Sequence, residues 1–392
     1  MSARRRAGYE DIVLVAPLSV PTVRHSEHLP HWFFARAFAG MLARAGLGKD
    51  DVDGFCIASM GLAPDSVVGL TQHLGLSPRW IDQAMTAGCS GITLLRRAAR
   101  AVQCGDVDIA ACIAADTHMP DSFRDVVANF SLFARDGVYP YGAGGPNQSF
   151  AFLTDHYMRS YGATREDFGS LCVMQRRNGM EFPQALLRKP LTLPEYLQAR
   201  PIADPLVLFD CVMPCAGAEG FLVMTRERAE DLGLPYAKLL ATIERTNAFP
   251  ADPVQFRGGW AQDRDALYAQ AALGPEDIDF LQTYDDYPVI SMMQFEDLGF
   301  CAKGEGPEFV RRHDLTNGGD FPVNTSGGQL SVGQAGAAGG FLGLVEAIRQ
   351  LNGETLGGRV SNPRHGLVCG FGIINYDRGL CSGAAILGRR DT

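Results

Sequence analysis

A nine-residue segment occurs twice in this chain, and the duplication limits the fold more than any other feature. Ala45-Gly46-Leu47-Gly48-Lys49-Asp50-Asp51-Val52-Asp53 returns as Ala271-Ala272-Leu273-Gly274-Pro275-Glu276-Asp277-Ile278-Asp279. Each copy closes a helix and opens an apolar strand. Before the first copy come a strand from Ile12 to Val20 and a helix from His31 to Ala45, with Phe33, Phe34, Phe38 and Leu42 on one face and Gly46 at its end. After it come a short apolar run from Val52 to Ser59, a helix from Asp65 to Leu74 with Asp65 as N-cap, and a third strand before Cys89. The second half follows the same order: strand Leu239 to Thr246, helix Asp263 to Leu273, strand Asp279 to Thr283, helix Val289 to Leu298. Two apolar strands close the chain, one ending near Cys369 and one from Cys381 to Leu387. This alternation predicts a layered α/β fold. It also predicts two halves, residues 1–235 and 236–392.

Thr86-Ala87-Gly88-Cys89-Ser90-Gly91 stands where a strand gives way to a helix carrying Ile92, Leu95, Ala99 and Val102 at helical spacing. Cys89 is expected at the first helical turn, where unpaired N–H groups and the helix dipole favour a thiolate. Gly88 and Gly91 would let a substrate carbonyl approach the backbone. The following run, Val107 to Ala115, reads as a strand buried on both faces. By the repeat, a helix opening near Gly333 at Gln334 and running through Leu344, Val345 and Ile348 is the counterpart of the Cys89 helix. Two helix N-termini facing each other would suit developing negative charge.

Between them, residues 116–205 break the rhythm with prolines, glycines and aromatics, as in Tyr139-Pro140-Tyr141-Gly142-Ala143-Gly144-Gly145-Pro146. The segment reads as an insertion or lid loop that covers a site, because structureless loops this long are uncommon in compact domains. A net charge of −9 argues against nucleic-acid binding; Arg4-Arg5-Arg6 reads as a solvated tail. Glu10, Asp11 and Pro17 argue against a signal peptide, and no apolar run reaches membrane-spanning length. The ten cysteines show no disulfide pattern, so free thiols in a reducing cytoplasm are expected. Cys211 and Cys215 lack the second pair or histidine that zinc requires, and no metal is expected.

Four motifs, taken in order, resemble the thiolase superfamily: Ala87-Gly88-Cys89-Ser90-Gly91, Asn324-Thr325-Ser326-Gly327-Gly328, Gly333-Gln334-Ala335-Gly336-Ala337-Ala338-Gly339 and Cys369-Gly370-Phe371-Gly372. Asp204-Pro205-Leu206, Asp210-Cys211 and Gly217-Ala218 resemble its branch of sterol-carrier-protein thiolases and lipid-transfer thiolase-like proteins. The resemblance implies a duplicated fold of two βαβαβαββ-type halves in five αβαβα layers. It implies Cys89 as acyl-accepting nucleophile and Cys369 as a second, proton-carrying cysteine. It also implies backbone donors at Cys89 and at Gly370 or Gly372, with Gly88, Asp285 and Gly328 near the bound thioester.

Two positions depart from the thiolase pattern. Gln334 stands where the resemblance implies an activating histidine, and an amide is not a base near neutral pH. Tyr284-Asp285-Asp286-Tyr287 replaces the Asn- or His-led motif. Tyr284 is either a strand-end aromatic or a positioned proton donor, Cys369 either core or proton carrier, and His118, His156 and His365 are the histidines that could stand in as base. The leading expectation is an acyltransferase that makes or breaks a carbon–carbon bond of an acyl-CoA through acyl-Cys89. A second is a retro-aldolase acting on a β-hydroxyacyl-CoA with a steroid or similar side chain, in which Tyr284, Tyr287 or Tyr376 moves protons; a third is a non-catalytic scaffold subunit. The resemblance implies a homodimer, a small zinc-ribbon and OB-fold companion, and coenzyme A as substrate or product with no tightly bound cofactor.

Overall fold

The protein is described from a computed structural model covering residues 8–119, 131–143 and 145–392, so Arg4-Arg5-Arg6, Gly144 and residues 120–130 of the insertion lie outside it. The first half runs β1 (Ile12–Val23), α1 (Pro30–Ala45), β2 (Gly54–Ala58), α2 (Val67–Leu74), β3 (Trp80–Ala84), α3 (Ser90–Cys104) and β4 (Ile109–Asp116). Then come α4 (Pro146–Tyr161), α5 (Arg165–Glu181) and β5 (Ala216–Thr225). The second half runs β6 (Tyr236–Thr246), α6 (Trp260–Ala271), β7 (Phe280–Gln282), α7 (Pro288–Asp297), α8 (Gly339–Asn352), β8 (His365–Asn375) and β9 (Arg378–Gly388).

The main sheet has the order β3-β2-β4-β5-β1-β6-β9-β8-β7. Its seam is short: β1 and β6 pair antiparallel only from Val13↔Lys238 to Val15↔Tyr236. Read outward from that seam, β1-β5-β4-β2-β3 is answered by β6-β9-β8-β7, and Val323 pairs with Leu281 of β7 where β3 stands in the other half. In both halves the two strands farthest along are parallel and the returning strand is antiparallel.

The repeated segment folds identically in its two copies. Gly46 and Ala272 take left-handed conformations, their N–H groups bonding back to Leu42 and Tyr268. Asp51 accepts from the Gly48 N–H at 2.7 Å, and Asp277 from the Gly274 N–H at 2.8 Å. Asp53 holds the N–H groups that open β4, and Asp279 those that open β8. These carboxylates satisfy donors that the turns would otherwise leave unpaired.

Alternation along the strands sorts the core into layers. Phe55, Ile57, Ile109, Ile113 and Leu222 face α1 on one side. Cys56, Cys112, Phe221 and Val223 face α3 and α8, which lie between the two half-sheets. Leu367, Phe371 and Ile386 face α6 and α7. The five layers are helix, sheet, paired helices, sheet, helix. In the middle one a Cβ at Gly91 would overlap the Gly340 carbonyl oxygen, so the starts of α3 and α8 meet backbone to backbone.

Several expected boundaries change. Asp65 does not cap α2: the N-cap is Ser66, without a side-chain hydrogen bond. The counterpart of α3 opens at Gly339 rather than Gln334, because a strand-like bridge of Gln334 to Pro214 and a 3-10 turn, Gly336–Ala338, come first. The insertion is largely helical where it is described. α4 places Phe150, Leu153, Thr154 and Tyr157 on one buried face, and Asp167 caps α5 by accepting from the Thr164 N–H. β5 was not expected at all. Among the described residues no helix is long and apolar enough to cross a membrane.

Gly91→Val is expected to lower stability by about 1–3 kcal/mol or more, since backbone on both sides prevents relief. Gly69→Ala, on the exposed face of α2 with only Asp65 within reach of a new methyl group, is expected to raise it by about 0.5–1 kcal/mol. Urea unfolding of the two variants checks both signs.

Candidate active site

At the carboxyl ends of β2 and β4 and against the start of α3 lies a cavity of about 240 Å³, with a mostly apolar wall that includes Phe150, Phe371, Ile373 and Ile374. Sites in this fold class form at the ends of such strands. The polar groups converge on Tyr284, Asp286 and Gln334. Tyr284 follows β7 and is 5% exposed; Gln294 of α7 clamps its backbone, accepting from its N–H at 2.9 Å and donating to its carbonyl at 2.8 Å. Gln334 Nε2 donates to Tyr284 Oη at 2.9 Å and to Asp286 Oδ1 at 2.6 Å. The Gln334 backbone is held in turn, its N–H bonded to Met213 O at 2.8 Å and its carbonyl to the Cys215 N–H at 3.1 Å. Tyr287 donates to Asn147 Oδ1 at 2.6 Å and stacks on Phe150 at 4.3 Å.

Gly88 makes room for this arrangement. A Cβ there would lie inside the Tyr284 ring, so the phenol occupies the volume that any side chain at position 88 would need. Gly372 closes the same corner: a Cβ on it would overlap Thr86 O and stand 2.7 Å from the Gly88 nitrogen.

Burial dominates the electrostatics. It pushes the Asp286 carboxyl up to about 8, the neighbouring Asp285 adding to the shift and Tyr284 opposing it. The Tyr284 phenol rises well above its ordinary range, through burial and then the Asp286 charge beside it, and so keeps its proton. Cys211 and Cys215 also reach the cavity wall, and burial pushes both thiols up to about 12.

The expected nucleophile lies elsewhere. Cys89 occupies the start of α3 as the sequence indicates, yet its side chain is fully buried and does not line the cavity. A Cβ at Gly383 would be 3.0 Å from Cys89 Sγ, so the thiol points into the second half-sheet. Burial raises its pKa well above the ordinary thiol value, and Cys381 and Glu244 raise it further. Burial thus opposes the thiolate that a helix start would favour. Cys369 is also buried with a raised pKa, and it lines a separate void of about 10 Å³ behind Tyr284.

The remaining candidates separate cleanly. Gly370 packs on Cys89, a Cβ there standing 3.0 Å from the Cys89 Cα. Asp285 turns away from the cavity and accepts from the N–H groups of Gln329 and Leu330 at 2.9 and 3.2 Å; burial pushes its carboxyl up to about 6. Gly328, with φ +62°, is the glycine whose Cβ would overlap that carboxylate. Asp285 and Gly328 thus shape a turn and do not face the cavity. His118 is on the cavity wall, whereas His156 packs by Phe256 and His365 bonds to Asp277 O at the start of β8. Tyr376 is 45% exposed and outside the cavity. Asp286 was not singled out from the sequence, although a signal existed. Positions 284 and 286 share a side of an extended segment, whereas 285 faces the other way. Among the described residues no group of three or more His, Cys, Asp or Glu side chains could hold a metal ion.

A protonated phenol beside a carboxyl poised near neutrality, bridged by an amide, can take a proton from a hydroxyl and return one to carbon. Known proteins agree with the architecture. Residues 252–388 match the family model described as thiolase C-terminal domain-like. The steroid side-chain-cleaving aldolase of Thermomonospora curvata is 29% identical over 361 residues, spanning 85% of this chain and 91% of that protein. The 17-hydroxy-3-oxo-4-pregnene-20-carboxyl-CoA lyase of Mycobacterium tuberculosis is 30% identical over 360 residues, spanning 86% and 91%. The solved Ltp2-ChsH2(DUF35) aldolase superposes with a TM-score of 0.84 at 26% identity, covering 97% of this chain and 98% of that chain.

The buried thiol generates a direct test. With iodoacetamide at neutral pH, exposed Cys104 is expected to alkylate and Cys89 to remain unmodified until the protein is denatured. Peptide mass mapping reads this, and native alkylation of Cys89 at the rate of Cys104 would contradict its placement.

Proposed function

This chain belongs to the thiolase superfamily, in the branch of the sterol-carrier-protein thiolases, and from that premise we propose that it is a retro-aldolase acting on a β-hydroxyacyl-CoA thioester. The observation that carries the reading is the Tyr284 phenol, which fills the room beside Gly88 and is held with Asp286 by one amide, while the Cys89 thiol faces away.

The reaction needs one proton removed and one returned. The Asp286 carboxylate takes the proton of the β-hydroxyl, directly or through Tyr284. The C–O bond becomes a carbonyl as the bond between the α and β carbons breaks, and its electron pair passes to the thioester as an enolate. A phenol or the newly protonated Asp286 then protonates the α carbon, releasing a ketone and a shortened acyl-CoA. Gln334 acts as a positioning residue that keeps phenol and carboxyl at one distance. Coenzyme A enters and leaves with the substrate and is not a resident cofactor.

The aromatic and aliphatic wall suits a bulky apolar group such as a steroid side chain, in keeping with the names of the two relatives. We also propose a homodimer, and with it a small zinc-ribbon and OB-fold companion; the companion is supported by the superposed aldolase, a complex with a DUF35 protein. The acyl-Cys89 route finds less support: it requires a thiol that this geometry keeps out of the cavity.

Tyr284→Phe is expected to lower kcat by about 10²–10⁴-fold on a β-hydroxyacyl-CoA. Cys89→Ala should stay within about threefold, with no acyl adduct in intact mass spectra. Loss of turnover in Cys89→Ala, with an adduct on the parent protein, would favour the acyltransferase. The pH profile supplies a second check. A base with a pKa of about 8 is roughly one-tenth ionised at pH 7, so kcat/KM should rise about tenfold per pH unit below 8 and level above it. Asp286→Asn should remove that limb, and its survival in the variant would exclude Asp286 as the base.

A further inference from the structure

One strand on the cavity wall breaks its own alternation. Leu367, Cys369 and Phe371 of β8 face the layer of α6 and α7, and Val368 faces α3 and α8, as a regular strand requires. Continued, that period would put Ile373 beside Phe371 in the core. Instead Ile374, 7% exposed, joins that layer, whereas Ile373 is half-buried and, among the described residues, packs in none of the core layers. The switch occurs at Ile373 itself, whose φ is +54°. For a residue branched at Cβ this left-handed conformation is an outlier. As a result Phe371, Gly372, Ile373 and Ile374 all line the cavity in succession.

The surrounding chain holds this backbone in place. Ahead of it, Gly372 packs on the turn at Thr86 and Gly88 and pairs with Cys381 of β9. Behind it, Ile374 pairs with Gly379, which buried Gln255 clamps, accepting from its N–H at 2.9 Å and donating to its carbonyl at 2.8 Å. Leu380, opposite Ile373, gives its carbonyl to the Asn247 N–H at 2.7 Å. Strain of this kind persists only where neighbours over-determine it, and it gathers where a ligand is gripped. Glycine would adopt the same backbone without strain. The isoleucine adds nothing to the core and presents its apolar surface to the cavity.

We propose that Ile373 is a specificity-determining residue whose side chain contacts the apolar substituent on the β carbon of the acyl group. The inference rests on the reading of the substrate as a β-hydroxyacyl-CoA thioester. Tyr284, Asp286 and Gln334 form the polar wall, where the β-hydroxyl reacts. Phe150, Phe371, Ile373 and Ile374 offer no side-chain hydrogen bond, so a substituent with none to make lies against them. Phe150 is already stacked on Tyr287 at 4.3 Å, and the Phe371 ring lies 5.3 Å from that of Trp260. Ile374 is spent on the core. Ile373 is the member of this wall whose surface is left for a ligand.

Titration calorimetry on the full chain compares cyclohexylpropanoyl-CoA with butanoyl-CoA; neither carries a β-hydroxyl, so binding is read without cleavage. In Ile373→Ala the affinity for cyclohexylpropanoyl-CoA should fall by about tenfold or more, with that for butanoyl-CoA within about twofold. Ile373→Val, which keeps the branch at Cβ, should retain most of the selectivity. In urea, Ile373→Gly should unfold at a higher midpoint than Ile373→Ala, the reverse of the order inside a regular strand. Unchanged selectivity in Ile373→Ala overturns the assignment and leaves the aldolase reading standing. Equal weakening of both thioesters also overturns it, because the loss would then reside in the fold. A midpoint for Ile373→Ala above that of Ile373→Gly overturns the strained placement on which the assignment depends. If selectivity falls in Ile373→Ala while the parent does not cleave the β-hydroxy form of the same thioester, the assignment stands and the aldolase reading fails. A parent that binds neither thioester overturns both.

Discussion

The starts of α3 and α8 touch through bare backbone, Gly91 against the Gly340 carbonyl and Gly340 against the Gly88 carbonyl, and the site depends on that contact. Side chains there would push the two central helices apart, and with them the half-sheets they separate. Asp116 reinforces the joint. Its carboxylate accepts from the N–H groups of Met60 and Gly61 on one side and of Ala337 on the other, so the strand ends of the first half are tied to the turn before α8. These contacts bring the loop after β7 and its Tyr284 up to Gly88. They also leave a cavity whose opposite walls come from opposite halves of a duplicated chain.

Within this frame two adjacent aspartates do different work. Asp285 spends both oxygens on backbone N–H groups of the Gln329 turn, and those bonds hold its pKa to about 6 despite complete burial. Asp286 receives no such backbone donors among the described residues; its carboxyl faces a phenol and an amide and climbs to about 8. Burial is common to both, so hydrogen bonding to the charged form separates them. The same accounting explains Cys89. A helix N-terminus is worth up to about 2 kcal/mol to a neighbouring negative charge, whereas full burial can shift a pKa by 3–5 units against it. Position at a helix start does not activate a thiol that is sealed from solvent and substrate.

Much of the architecture was legible because it is written in short-range pattern. The Ala45–Asp53 repeat encodes a helix end, a carboxylate-capped turn and a strand start, and its two copies fold alike because those are local events. The α1 face, the buried run of β4 and the order of strands about the repeat followed from periodicity in the same way. The helices of the insertion were obscured by its glycines and prolines, although Pro146 begins α4 and Gly162 ends it, as those residues do at helix termini.

Residue types and spacing by themselves determined that the chain is a duplicated, layered α/β protein with a turn at residues 86–91 answered by one before α8. The resemblance to the thiolase superfamily, carried by four short motifs, marked Tyr284-Asp285-Asp286-Tyr287 and Gln334 as departures from its pattern. Tertiary structure alone decided which groups face the cavity. Whether Cys89 or Tyr284 occupies the space beside Gly88 depends on the Gln294 clamp on Tyr284 and on how closely Gly372 packs on that turn. The clamp is local, but the approach of Tyr284 to Gly88 and of Gly372 to Thr86 joins distant parts of the chain. Chemistry at the site is a matter of direction and burial, and both are set by packing between the halves, which no local pattern records.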